Sequence, residues 1–364
     1  MKKFLSIILA ILMVVTTMPM AFAAGDVIEV NGTGFSNFDE AITYVKSLSE
    51  PVELKLLDDI DASNSTHNQG SFKSFYWPVN AEKLDLNGYT IKFFDYLYFR
   101  DVTLTITDTS EQGNGKVQAG LMNVHVSTVE KAYMTLENGT LEARDYNYAA
   151  MTVYNNCEFN MTGGSIIKSV DSFTDCVLAY DNSVVNISGG TITNKAMEGY
   201  SPFALWCYER STVNITGGTF NDGIHAGMNG GKTLIEHVPV GFVIKDENGN
   251  YIDKNLYSTD NITVTVEKHI NHDYENGVCS VCDYICEHTG GEATCVAKAV
   301  CEACGLEYGT IDADNHEIVN VEAKANTCTE IGWDAYEYCT RCDYTTYDEK
   351  PILGHDIIID AYVA

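Results

Sequence analysis

A chain of 364 residues with 51 Asp and Glu against 22 Lys and Arg carries a formal charge of −29. That field repels nucleic acid and anionic lipid, so neither is expected as a partner. Hydrophobic residues make up 45%, with 22 Tyr, 29 Gly and only six Pro, which excludes intrinsic disorder and favours a globular β-rich protein with chain enough for two or three domains.

Residues 1–24 read as a secretory signal peptide. Lys2 and Lys3 precede an apolar run from Phe4 to Val15, and Ala21-Phe22-Ala23 supplies a small-x-small cleavage signature. The run is short for a membrane span and no other long apolar stretch follows, so we expect a secreted or cell-surface chain with no membrane insertion. Next, Ser36 is expected to cap a short amphipathic helix in which Phe38, Ala41, Ile42 and Val45 share one face. Val52 to Leu57 alternates as a strand. A helix placed before the first coil is a natural cap for the open end of a solenoid.

From Val52 to Phe220 we count about six coils. The clearest carry the sequences Phe159-Asn-Met-Thr-Gly-Gly-Ser-Ile166, Val185-Asn-Ile-Ser-Gly-Gly-Thr-Ile192 and Val213-Asn-Ile-Thr-Gly-Gly-Thr-Phe220. Gly164, Gly190 and Gly218 recur at 26 and 28 residues, a period that signals stacked β coils. β-branched residues fill the strands and Gly-Gly interrupts any helix. Tyr154, Tyr180 and Tyr208 each stand five residues before the aligned Phe159, Val185 and Val213. Leu84 to Ile91, Leu104 to Asp108 and Met134 to Leu141 read as earlier members. The solenoid with its cap is expected over 25–230, and a closing hairpin over 231–268 with Asn248-Gly249 at its turn. Asp246, Asn248 and Asn250 sit at alternate positions as in a calcium loop, but the glycine is misplaced and Tyr257 stands where the loop needs Glu, so we read the hairpin.

These features resemble the right-handed parallel β-helix domains of exported Gram-positive bacterial surface proteins, within the wider pectate-lyase-like superfamily. The resemblance rests on the early helix, Leu-Leu-Asp-Asp at 56–59, Leu-Asp-Leu-Asn-Gly-Tyr-Thr-Ile at 84–91, Leu-Thr-Ile-Thr-Asp at 104–108 and the repeated Asn-x-[Ser/Thr]-Gly-Gly. It covers about Gly25 to Val266. It implies a mainly β fold, a right-handed parallel β-helix with an N-terminal capping helix. Function does not follow, because this fold hosts enzymes and binding proteins alike.

The tail holds nine of the twelve cysteines, between Cys279 and Cys342. In chain order they form three sets, each led by a histidine: His272 with Cys279, Cys282 and Cys286; His288 with Cys295, Cys301 and Cys304; His316 with Cys328, Cys339 and Cys342. Each contains one Cys-x-x-Cys, and four soft ligands suit a tetrahedral structural zinc. Disulfides are the alternative in an exported chain, although nine cysteines cannot all pair within the tail. We expect small zinc-ribbon-like repeats over 269–306 and 307–364. Asn315 to Ala325 aligns with Gly354 to Ala364, 39 residues on, as if the array continued beyond this sequence. The units resemble Cys/His-rich repeats of long exported proteins of anaerobic Gram-positive bacteria, which implies a stalk or interaction array.

Lyases of the superfamily use carboxylates holding calcium and an Arg or Lys base. The mature chain has four arginines, Arg100, Arg144, Arg210 and Arg341, of which Arg144 and Arg210 sit beside acids as surface ion pairs would. Asp171, Asp175 and Asp181 are candidates for calcium or for a glycan. Asp145 with Asp171 or Asp181 is the only carboxylate pair offered for hydrolysis. His125 and His225 read as structural. Tyr154, Tyr180, Tyr208 and Trp206 offer ring faces for sugars along an extended surface, with stacking within the β-helix as the alternative. The reading is a non-catalytic β-helix for adhesion or glycan binding, its partner a glycan or a surface protein. A polysaccharide lyase or glycoside hydrolase is the competing reading, and a structural spacer the third.

Overall fold

The computed structural model describes residues 23–125, 131–208, 210–227 and 231–355. Residues 1–22, where the signal peptide was read, and residues 356–364 of the second aligned tail segment lie outside that range. The chain divides into two compact units, residues 1–269 and 270–364.

The first unit is a β-solenoid of about six turns. Each turn contributes three short strands, and like strands of successive turns pair in parallel. One wall runs through Val52–Leu56, Ala81–Asp85, Thr103–Thr107, Tyr133–Leu136, Glu158–Met161, Val184–Thr193 and Thr212–Asn221. A second wall starts at Ile60–Asp61 and Thr90–Lys92 and ends in the later halves of the same two long strands. The third is a separate seven-stranded sheet from Phe75–Tyr76 to Ile224–His225.

Alternation places one apolar residue per turn at each interior level. Leu54, Leu84, Ile106, Leu136, Met161, Ile187 and Ile215 stand in register and are all buried. In the third wall Phe75, Leu97, Met122, Met151, Val177, Leu205 and Ile224 do the same. The paired glycines turn the corner between the first two walls and have different jobs. A Cβ on Gly163, Gly189 or Gly217 would lie 2.3, 2.5 or 2.3 Å from a carbonyl oxygen of the turn below, so these coils stack closer than any side chain allows. Gly164, Gly190 and Gly218 take φ of 69°, 84° and 107°, which L side chains rarely adopt. The repeated asparagines form an outward ladder, Asn214 donating to Asn186 and Asn186 to Asn160, each at 2.8 Å.

The helix Phe38–Ser47 buries Phe38, Ala41, Ile42 and Val45, as expected. Its cap is Asn37 rather than Ser36: the Asn37 side chain accepts from the amides of Asp39 and Glu40 at 2.8 and 3.2 Å. At the other end Phe242–Asp246 and Val264–Lys268 pair antiparallel and cover Thr212–Asn221. Asp246 accepts from the amides of Asn248 and Asn250 at 2.9 and 2.8 Å, so it closes the hairpin turn.

The second unit is held by four two-stranded ladders: Tyr274–Glu275 with Val278–Cys279, Ala299–Val300 with Glu307–Tyr308, Ile318–Val321 with Tyr336–Cys339, and Gly332–Trp333 with Glu349–Lys350. Among its described residues the buried hydrophobic side chains are Cys279, Cys282, Cys286, Ala299, Cys301 and Cys339. Ile270 and Ile285 stay 74% and 67% exposed. An apolar core is therefore nearly lacking, and the sulfurs occupy its place.

Candidate functional site

The outer face of the seven-stranded sheet carries two rows of side chains along the solenoid. One row is Tyr76, Tyr98, Asn123, Thr152, Leu178, Trp206 and His225, in register. The other begins with Arg100 and His125, which are paired in register. It continues through Tyr154, Tyr180 and Tyr208, each just past the register-matched Val153, Ala179 and Cys207. Rings of adjacent turns stack: Tyr180 on Tyr208 at 3.7 Å, Trp206 on His225 at 4.0 Å, Tyr76 on Tyr98 at 4.9 Å and His125 on Tyr154 at 5.3 Å. The rings thus stack on one another along the solenoid, as the second reading of the aromatics expected, and they do so on its outer face.

Where the first row shortens to Asn123, Thr152 and Leu178, a groove of about 640 Å³ opens, running from Ser74 to Tyr208. Tyr98, Tyr180 and Tyr208 border it, and the loop residues Phe72, Tyr148 and Phe173 line it too. Of the predicted residues, Tyr180, Tyr208 and Asp175 line the groove. Tyr154 and Trp206 lie on the same face beside it. Phe72, Tyr96, Tyr98 and Tyr148 belong to the wider aromatic groups that sequence offers for sugar rings, whereas Phe173 carries no sequence signal, because only the folded loop brings it to the groove.

Lys168 pins that loop wall from within. It is 1% exposed, and its ammonium donates to the Tyr148 carbonyl and the Thr174 hydroxyl. Ser172 donates to the Tyr146 carbonyl at 2.9 Å, tying the same two loops. Burial pushes the Lys168 ammonium down to about 8, against the pull of Cys176, Asp145 and Asp175. Burial also raises the Asp175 carboxyl, opposed by the amide of Phe203 that it accepts at 2.7 Å. The Tyr96 phenol is pushed up to about 12 by burial and by its hydrogen bond with Tyr148.

The calcium expectation is corrected here. Asp171, Asp175 and Asp181 do not converge: Asp171 pairs with Lys195 at 3.0 Å, Asp181 with Arg210 at 2.7 Å, and Asp175 serves the Phe203 amide. Successive loops separate them, and each finds its own donor. Among the described residues the metal-competent clusters are all Cys/His. Arg144 forms no surface ion pair with its neighbours; it donates to the Phe93 carbonyl at 3.0 Å, while Glu142 pairs with Lys116 at 3.4 Å. Arg100 donates from Nε to His125 Nε2 at 3.0 Å. Burial and the Arg100 cation lower the His125 imidazolium, and its ring stacks on Tyr154.

In the tail the cysteines and histidines do gather, in a different partition from chain order. One cluster holds His272, Cys279 and Cys282; another Cys286, His288, Cys301 and Cys304; another Cys295, His316, Cys339 and Cys342. Cys286 moves from the first expected set to the second, and Cys295 from the second to the third. Cys328 joins none of them. Ligand atoms within each cluster lie no more than 4.8 Å apart. Cys286 and Cys301 sulfurs are 3.5 Å apart, Cys295 and Cys339 sulfurs 3.7 Å. Two sulfurs on a tetrahedral ion at about 2.3 Å stand about 3.8 Å apart, whereas a disulfide needs about 2.05 Å. These separations fit a structural metal rather than disulfides.

Each Cys-x-x-Cys is a tight knuckle. The first cysteine's amide donates back across it, from Cys279 to the Tyr284 carbonyl at 2.8 Å, Cys301 to Leu306 at 2.9 Å and Cys339 to Tyr344 at 2.9 Å. Burial raises these three thiols, but amides pointing at the sulfurs and the cluster histidines outweigh it. They bring Cys279 and Cys339 to about 6 and Cys301 to about 5. Burial and neighbouring sulfurs push Cys286 and Cys295 to about 11. Histidine Nδ1 faces the knuckle sulfur throughout, at 3.3 Å for His272 and Cys282, 3.1 Å for His288 and Cys304, and 3.3 Å for His316 and Cys342. A tyrosine stacks on each ring: Tyr284 at 4.8 Å, Tyr308 at 5.5 Å and Tyr344 at 4.3 Å. These rings fix ligand orientation and were missed from sequence, although Tyr284 and Tyr344 both stand two residues after their Cys-x-x-Cys.

Among the described residues no helix is long and apolar enough to cross a membrane. Comparison with family models, curated proteins and solved structures gives no match for this chain.

Proposed function

We propose that this is a secreted or cell-surface binding protein that holds a glycan in the tyrosine-bordered groove, and that zinc occupies the tail clusters as a structural ion. The observation that carries the glycan reading is the groove itself. Its aromatic borders flank a floor of short amide and hydroxyl groups, Asn123 and Thr152, and it runs along the stacked turns. Ring faces match the apolar faces of sugars, and amides and hydroxyls match their hydroxyl groups. From Ser74 to Tyr208 the groove crosses five strand spacings, about 24 Å, room for several sugar units. With a net charge of −29 and no Lys or Arg among its lining residues, the groove favours a neutral glycan over a polyanion.

The enzyme reading draws on Asp175, a groove carboxyl raised by burial as a general acid would be. It is the single carboxylate of the lining, and it already accepts the Phe203 amide, so holding is favoured over cutting. Incubation with neutral and acidic polysaccharides separates the readings. Retained protein with polymer of unchanged length supports binding. Shortened polymer supports a lyase or hydrolase. Neither retention nor shortening removes the glycan and leaves a spacer or a protein ligand.

A further inference from the structure

Asp175 stands in the groove lining, in the loop just before Val177–Ala179, and it is held in place without a counter-charge of its own. Its hydrogen-bond donors are backbone amides, that of Phe203 at 2.7 Å and that of its own residue. Neighbouring Asp171 and Asp181 each have an ion pair, with Lys195 and Arg210, whereas Asp175 has none among the described residues. The cation that acts on it, Lys168, is 1% exposed and donates to the Tyr148 carbonyl and the Thr174 hydroxyl instead. The field along this wall has one sign. Burial, Tyr208 and then the charges of Asp175 and Asp181 raise the Tyr180 phenol, and burial, Tyr148 and the charges of Asp95 and Asp145 raise that of Tyr96. Both tyrosines line the groove, and no Lys or Arg lines it. A cation entering there gains from the carboxylate and from the tyrosine ring faces together.

We propose that the groove selects a glycan carrying a free, protonated amino group, and that Asp175 receives this ammonium while Tyr180 and Tyr208 carry the sugar rings beside it. One carboxylate in a groove about 24 Å long asks for one amino sugar among otherwise neutral units. Acetylation of the amine removes the charge that Asp175 lacks, and an acidic sugar meets a field of its own sign. The proposal rests on the glycan reading of the groove and names the sugar that the groove prefers.

The test is calorimetric titration of the full chain with three hexasaccharides of one linkage, built from glucose, N-acetylglucosamine or glucosamine, at about pH 6 where the sugar amine is protonated. The wild type should bind the glucosamine form about tenfold or more tightly than the other two. Asp175→Asn keeps an acceptor for the Phe203 amide and should bind all three alike, with unchanged thermal unfolding. Leu178→Lys sets a cation on the groove floor and should abolish the preference independently. Equal binding of the three by the wild type, or a preference for an uncharged form, overturns the amine and leaves the glycan reading intact. A preference that survives in both folded variants overturns it as well, since the acidic surface at large then attracts the polycation. If none of the three binds, the amine is overturned, and retention on the neutral polysaccharides decides the glycan reading separately.

Discussion

Replacing Lys168 with Met tests the pinned groove wall. Lys168 carries its charge inside the solenoid at 1% exposure, and burial lowers it from the ordinary 10.5 to about 8. That lowering corresponds to about 3 kcal/mol in full, of which about 2 kcal/mol is recovered between pH 7 and pH 9.5. The sign follows from proton counting. Between about pH 8 and 10.5 the unfolded chain keeps the lysine proton while the folded chain has released it, so stability contributed by this residue rises with pH. Below pH 8 the full cost of the buried charge is present. Cys157, raised to about 11, and Tyr96, raised to about 12, slope the other way at high pH, but they do so in both proteins and cancel in the difference. Urea unfolding at pH 7 and pH 9.5 should show the wild type gaining about 2 kcal/mol relative to Lys168→Met. The variant also leaves the Tyr148 carbonyl and Thr174 hydroxyl without their donor, at about 1–3 kcal/mol, which shifts its whole curve without changing the slope. Parallel wild-type and variant curves would refute the buried cation. Hydrogen exchange of residues 145–149 and 171–175 should quicken in the variant, because those loops lose their shared anchor.

Three further outcomes follow from the same geometry. Gly189→Ala puts a Cβ 2.5 Å from the Thr162 carbonyl at an ordinary φ and should destabilise by about 2 kcal/mol or more. Gly199→Ala meets no neighbour but keeps φ 86°, and should cost only about 1 kcal/mol; equal losses on thermal melting would contradict the close-stacking account. Cys207→Ala and Cys301→Ala remove one sulfur each, both buried. Cys207→Ala should cost about 1 kcal/mol and leave the metal content unchanged, whereas Cys301→Ala should empty its cluster and lower the content by about one ion per chain. Chelation should abolish hydrogen-exchange protection at the Cys279, Cys301 and Cys339 amides while sparing the solenoid ladders; protected knuckles after complete metal removal would count against structural metal.

Much of the solenoid could be read directly because its constraints are local. Gly163-Gly164 and its two successors mark a corner that needs both close approach and positive φ, and the intervening alternation needs only nearest neighbours in sequence. The tail was legible in part for the same reason. Cys-x-x-Cys pairs are local and were placed together, whereas the third and fourth ligands arrive from loops. Cys286 and Cys295 were therefore assigned by chain order to the wrong partners. Cys286-x-His288 was the available hint, since two ligands so close are easily shared by one ion. Cys295 lies within the loop closed by Cys286 and Cys304 yet belongs with Cys339 and Cys342, so the second and third clusters interlock. The third cluster thus draws its residues from both sides of the expected boundary between 306 and 307. In the groove, Tyr180 and Tyr208 were visible as a repeat, but Tyr98, Tyr148 and Phe173 occupy unrelated positions in three turns and meet only through folding.

The most direct measurement of the central claim is glycan binding by Tyr180→Ala/Tyr208→Ala against wild type. These two rings stack at 3.7 Å on the groove border, outside the interior ladders, so the variant is expected to fold. Loss of two stacking surfaces at about 0.5–1.5 kcal/mol each should weaken retention on a bound neutral polysaccharide about tenfold or more, with unchanged thermal unfolding of the solenoid. Binding of the folded variant at wild-type strength would show that the glycan is held elsewhere and would contradict the account.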